Sequence, residues 1–434
     1  MNSTIKSHST LSRVMFYVVF SLALISPALP KIGIGREFNI TILEIGLILS
    51  SILFPAALIK SFFIKDVRPL SISILIILLS SLAWIMMQPD LNGTLRLIKL
   101  ILYFQLFYYG YHFMTKEKCL SLSYAGLVAM IGGLAFYLLV QVPEYGFDSW
   151  NVKALNSGFS NKYIDVSTMK LETASAGAHG VWTTFCLLAF SIYLTFKSIN
   201  TKNSIILFLF FTILSLHVFY SVSREGLLSL SIFAILTSTY ALKKQTAPNL
   251  IFYMTLIALS LIFITWSILP YLITLDFGII EKLNYTTKSL SQYGTEANLL
   301  LRINSWKAFL YSLSEMPQII LTGVGWSELR YGAMQDLSNA NFIYVKLPES
   351  LFFTFFSYGG IISLFLLIVF YKNITTIALK QKDLKHLGFF LISVIPASIL
   401  SGAALISDLI MGMLFLITGY IFRAKHSGAK LKNG

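Results

Sequence analysis

The 434-residue sequence predicts an all-α polytopic membrane protein with about twelve transmembrane helices. Three observations carry this prediction. Hydrophobic residues make up 56% of the chain and charged residues only 12%, with a mean hydropathy of +0.75. The apolar residues come in runs of about 20, the length a helix needs to cross a hydrocarbon core of about 30 Å. The alternation that barrel strands require is absent, which leaves helices, each satisfying its own backbone polar groups.

In chain order the runs fall at 14–29, 41–63, 69–87, 94–114, 120–141, 180–197, 204–222, 226–242, 250–274, 350–371, 387–405 and 407–422. No soluble module of ordinary domain size fits between them, so 1–434 reads as a single transmembrane domain. Two longer polar stretches interrupt it, a first loop over 142–179 and a large loop over 275–349. Lys6 and Arg13 precede the first run with no obvious small-residue cleavage site, which predicts an uncleaved first span.

The net charge of +14 follows the positive-inside bias. With the N-terminus in the cytoplasm, Lys65, Arg68, Lys116, Lys118, Lys197, Lys202, Lys243 and Lys244 all fall inside. So do the loop from Lys372 to Lys385 and the tail with Arg423, Lys425, Lys430 and Lys432; Lys31 and Arg36 are the exception. Both termini are then cytoplasmic, and both long loops face outward. Nucleic-acid binding would need a basic face with interleaved aromatics on a soluble surface, and none is visible. Cys119 and Cys186 give neither metal spacing nor a disulfide framework.

The large loop is where chemistry is expected. Glu296 to Ser314 reads as an amphipathic helix with Leu299, Leu300, Ile303, Trp306 and Leu310 on one side. Gly323-Val324-Gly325 reads as a turn that lets backbone approach something closely. Arg302 and Trp306 are one helical turn apart, which suits a cation–π pair or, alternatively, a guanidinium facing a cavity. Upstream, Arg224 sits in the turn Ser221-Val-Ser-Arg-Glu-Gly226 at the outward face, where positive-inside bias does not explain it. It either snorkels to headgroups or pairs with Glu225, or it aims its planar fork at phosphate oxygens. Two such arginines could hold a diphosphate and stabilise the charge that builds on it as a leaving group.

Glu349 follows Pro348 in the first turn of a span. There it either complements the helix dipole or serves as a partly desolvated general base. His179, at the outer edge of another span, and Arg330 in the large loop are further candidates for contacting a substrate. His112 and His217 lie inside spans with no ligand partner near in sequence, so no metal is expected.

These residues, in this order, resemble the bacterial O-antigen ligase and polymerase superfamily of membrane glycosyltransferases. Ser223-Arg224-Glu225-Gly226 is similar to that family's Ser-Arg-Gly turn, with one residue inserted. Arg302-Ile-Asn-Ser-Trp306 is similar to its Arg…Trp element, and Gly323-Val-Gly325 to its Gly-x-Gly. Glu349-Ser350-Leu351 followed by Tyr358-Gly359-Gly360-Ile361 is similar to the segment that leads into the next span. The resemblance covers mainly 204–370. Ligases usually carry His-Asn where this chain has Glu349-Ser350, whereas Wzy-type polymerases often have Glu-Ser.

The resemblance implies a GT-C-type fold of about twelve spans and an enzyme of the bacterial inner membrane. It would polymerise undecaprenyl-diphosphate-linked repeat units at the periplasmic face, with no cofactor or metal. Arg224 and Arg302 would hold the diphosphate and Glu349 would deprotonate the attacking hydroxyl. Trp306, Arg330 and His179 would contact substrate. The implied partners are the lipid-linked glycan donor and acceptor, membrane lipids and a chain-length regulator protein. A ligase that moves finished polymer to lipid A-core is the nearest alternative. A lipid-linked oligosaccharide flippase is a third reading. It would call for charges at mid-membrane depth and two similar halves, and neither is apparent.

Overall fold

The structure, a computed structural model, describes residues 10–29, 32–34, 38–85, 87–136, 139, 179–197, 201–220, 224–243, 297–337, 348, 350–400 and 407–432. The elements run α1 (Thr10–Ile25), the strands β1 (Ile32–Ile34) and β2 (Phe38–Ile40), α2 (Ile42–Leu53), α3 (Pro55–Phe62), α4 (Arg68–Ile85), α5 (Leu91–Tyr103) and α6 (Gln105–Phe113). They continue with α7 (Lys116–Phe136), α8 (His179–Phe196), α9 (Thr201–Tyr220), α10 (Arg224–Lys243), α11 (Ala297–Ser312), α12 (Ile319–Thr322) and α13 (Glu328–Leu337). Last come α14 (Leu351–Lys380), α15 (Lys385–Ser393), α16 (Ile395–Leu400) and α17 (Asp408–Lys432).

The described chain is therefore helical, apart from one antiparallel hairpin that pairs Ile32 with Ile40 and Ile34 with Phe38. Where they are described, the predicted apolar runs lie mainly on helix; 250–274 is outside the described residues, as are most of 142–179 and the start of the large loop. Among the described residues four helices, α1, α4, α7 and α14, are long and apolar enough to cross a membrane. The bent pair α2–α3 makes a fifth if it counts as one span. Large apolar side chains stay on the surface along these helices, among them Tyr17, Ile52, Leu75, Leu79, Val128 and Phe365. Such a surface suits lipid better than water.

Two runs that read as single straight spans are broken. Stretch 41–63 bends by 95° between α2 and α3. Pro55 is the cause, because it has no N–H to continue the ladder and its ring clashes with the preceding turn. The Gln105 side-chain amide braces the last turns of α2, donating to the Leu47 carbonyl at 3.0 Å and to Ser51 Oγ at 2.8 Å. Stretch 94–114 is interrupted at Phe104, where Phe62 stacks on the Phe104 ring at 4.7 Å.

The helix ends that carry the predicted inward charges meet one another. Lys425 Nζ and His426 Nε2 reach the Asp66 carboxylate at 2.6 and 3.0 Å. The Arg423 guanidinium donates to the carbonyls of His112 and Met114. Lys118 lies over the rings of Phe16 and Tyr17, and Phe16 stacks on Phe113. At the other end, α14 packs on α4, α12 packs on both, and α13 packs on α11.

Candidate functional site

The large loop is bound to the helical bundle by backbone, and three glycines make this possible. Gly360 breaks α14 with φ 71° and ψ −174°, which removes the ordinary helical partners of the carbonyls one turn earlier. The Gly-Val-Gly turn supplies new ones. Val324 N–H donates to the Ser357 carbonyl and Gly325 N–H to the Tyr358 carbonyl, both at 2.9 Å. Gly323 and Gly325 also have positive φ, 66° and 70°. A Cβ on Gly325 would lie 2.5 Å from Ser81 Cα, and one on Gly360 would lie 2.2 Å from the Leu321 carbonyl oxygen. The close approach predicted for this turn is thus to α4 and α14. Trp326 N–H donates to Ser81 Oγ at 2.8 Å, and Ser80 Oγ donates to the Thr322 carbonyl.

Arg330 completes this clasp. It is 1% exposed, although the sequence reading offered it as a substrate contact. Its Nε donates to the Gln88 carbonyl at 3.0 Å and its Nη1 to the Val324 carbonyl at 3.1 Å. Burial pushes its pKa down from the ordinary arginine value, and the nearby Asp90 carboxylate opposes this. Asp90 caps α5 by accepting from Gly93 N–H at 2.9 Å, and its other oxygen accepts from Ser327 Oγ at 2.5 Å. Ser327 Oγ in turn accepts from Arg330 N–H at 3.1 Å at the start of α13. Arg330→Met is expected to lower unfolding free energy in detergent by about 2–4 kcal/mol, because two buried carbonyls lose their donors. Arg96→Ala, which breaks a surface ion pair to Glu328 with both side chains 44% exposed, should cost under about 1 kcal/mol. Thermal unfolding of the two variants checks the contrast.

The helix carrying Arg302 matches its predicted extent, but it turns a different face inward. Ser305, Ala308, Phe309 and Ser312 are buried, while Leu310 is 47% exposed. Small residues allow α13 to approach closely, and polar partners make burial of Ser305 tolerable. Gln335 Nε2 donates to Ser305 Oγ at 2.6 Å and to its carbonyl at 3.1 Å, and Ser305 Oγ also bonds the Tyr331 hydroxyl at 2.8 Å. Trp306 faces the start of α14. Its ring stacks on Phe353 with centroids 5.5 Å apart, and its Nε1–H donates to the Pro348 carbonyl at 2.7 Å. Arg302, half-buried, lies one turn before Trp306 on this helix. Glu349 lies outside the described residues. Ser350 caps α14, its Oγ accepting from Phe353 N–H at 3.4 Å.

Arg224 and His179 begin α10 and α8, and their side chains lie outside the described part of the structure. The two helix starts adjoin, since a Cβ on Gly226 would lie 2.5 Å from Thr183 Oγ1. Close by, the buried His217 ring joins three helices. Its Nδ1 accepts from Trp182 Nε1–H at 2.8 Å, so its Nε2 carries the proton and donates to the Met130 carbonyl at 2.8 Å. The helix α15 packs against both α10 and α14, meeting Tyr240 near the end of α10 and Tyr371 in the second half of α14. Trp306 and Pro348 are brought together one helical turn from Arg302, and Arg330 is used in the clasp.

Two cations on α5 are paired. Arg96 bonds Glu328, and Lys99 Nζ lies 3.1 Å from the buried Glu44 carboxylate. Both cysteines are buried and free. Among the described residues no group of three or more His, Cys, Asp and Glu could hold a metal ion. Asp90 was not a candidate from the sequence. Its place before Leu91-Asn-Gly93 reads as a helix cap, but its partner Ser327 is 237 residues away. No family model matches the chain, and no curated protein matches it, so the resemblance to glycosyltransferases rests on the short ordered motifs.

Proposed function

We propose that this chain is a bacterial inner-membrane glycosyltransferase that polymerises undecaprenyl-diphosphate-linked repeat units at the periplasmic face. In this reading it has about twelve spans of GT-C type, both termini in the cytoplasm and the large loop outside. The acceptor hydroxyl oxygen attacks the anomeric carbon of the growing chain. The bond from that carbon to the diphosphate breaks, undecaprenyl diphosphate leaves, and the hydroxyl proton passes to Glu349. Arg224 and Arg302 hold the diphosphate and stabilise its developing charge. The donor already carries a good leaving group, so charge stabilisation and a base suffice. A chain-length regulator is the expected protein partner.

The observation that carries this reading is the bond from Trp306 to the Pro348 carbonyl. It sets the helix bearing Arg302 against the segment that leads through Glu349 into α14. Arg302 thereby lies on a helix held at Pro348, the residue before Glu349 in sequence, which supports a shared site for the two.

Deleting the gene tests the reading. The expected product is surface core capped by single repeat units, seen as loss of the ladder on a polysaccharide gel. Long polymer stranded on its lipid carrier would instead point to the ligase. An unchanged glycan profile would remove both.

A further inference from the structure

A continuous series of contacts runs from the bundle to Arg302. It starts at Asp90, which is 5% exposed and belongs to the turn between α4 and α5. Asp90 holds Ser327, and Ser327 caps α13 through Arg330 N–H. The Arg330 guanidinium fixes the same end of α13 to the carbonyls of Gln88 and Val324. Farther along α13, Tyr331 and Gln335 grip Ser305 on α11. Ser305 lies between Arg302 and Trp306, and Trp306 closes the series on Pro348. The links between elements are hydrogen bonds, and Asp90, Ser327, Arg330, Tyr331, Gln335 and Ser305 are all buried, with little freedom to drift.

We propose that Asp90 and Gln335 are positioning residues for Arg302. They touch no substrate. They set where the guanidinium stands relative to the bundle, and a misplacement of about 1 Å can cost on the order of 100-fold in rate. The inference rests on the proposed function, in which Arg302 contacts the diphosphate.

A double-mutant cycle tests it. Full-length variants in membrane vesicles are given a lipid extract of the source cells that contains the lipid-linked repeat unit, the acceptor, and initial rates of polymer formation are measured across its concentrations. Asp90→Ala is expected to lower kcat about tenfold with KM for the acceptor unchanged. In an Arg302→Ala background the same change should cost less than about twofold, because the group it positions is gone. Gln335→Ala, which removes the Gln335 bonds to Ser305 and leaves the Tyr331 bond and the α5 cap intact, should show the same coupling. Asp90→Asn, which keeps an acceptor oxygen, should recover most of the rate.

Equal losses in both Arg302 backgrounds would overturn the inference, as would wild-type kcat in folded Asp90→Ala and Gln335→Ala. Should Asp90→Ala fail to fold, the Gln335→Ala cycle decides alone. A fully active Arg302→Ala protein would instead overturn the arginine's role in the proposed function, and the positioning inference with it. Additive losses on an impaired Arg302→Ala protein would overturn only the inference.

Discussion

Gly323→Ala is expected to leave little folded protein. Gly323 sits at φ 66° and ψ −171°, a region open essentially to glycine alone. An added Cβ would lie 2.3 Å from the Tyr358 carbonyl carbon and 2.4 Å from the Gly359 nitrogen. Both are backbone atoms, so no side chain can move aside. Relief would require separating the turn from α14, which breaks the bonds from Val324 and Gly325 to the Ser357 and Tyr358 carbonyls. Backbone strain of about 1–3 kcal/mol adds to about 1–3 kcal/mol for each buried carbonyl left unpaired. Together these approach a domain's whole stability of about 5–15 kcal/mol. Gly132→Ala is the control, since a Cβ there meets nothing within 4 Å and alanine favours the helix. Folded yield after detergent size-exclusion, followed by thermal unfolding, reads both. Wild-type yield and Tm for Gly323→Ala would mean that the three-glycine clasp is not formed.

Glu349→Gln is expected to lower polymer formation by about 10²–10⁴-fold while leaving folded yield unchanged. Glutamine keeps size and hydrogen bonding but cannot accept the hydroxyl proton. If Glu349 merely complements the dipole of α14, the change should cost about 0.3–1 kcal/mol of stability and little activity. The two outcomes separate cleanly, and normal polymer from Glu349→Gln would sink the base assignment. Arg302→Lys belongs beside it. Lysine keeps the charge but loses the planar fork, so a bidentate phosphate contact predicts a clear loss. Unchanged activity would argue for a point charge or for no contact.

Several features were legible in the sequence because their causes are local. Apolar runs of spanning length became helices, and the large-loop helix starts and stops within two residues of its predicted ends, Ala297–Ser312 against 296–314. The Gly-x-Gly turn read correctly as a place of close backbone approach. What the turn approaches was not legible, because Ser81 and the 357–358 carbonyls are distant in sequence and the need for donors there arises only from the break at Gly360. The inward face of α11 was misread for a related reason. Periodicity favours the large apolar residues, yet Ser305, Ala308 and Ser312 face inward because α13 brings Gln335 and Tyr331 to satisfy the serine.

The sequence by itself determined that the chain is helical and apolar, because hydropathy and helix length are properties of single segments. It also marked Arg302, Trp306 and the Gly-Val-Gly turn as unusual. Only the tertiary structure decided that Arg330 and Asp90 bind the loop to the bundle and that Trp306 meets Pro348. A buried arginine and an exposed one read alike in sequence. Their roles part only when folding determines which backbone carbonyls are left without a donor, and the residues that supply those donors lie up to 242 positions away.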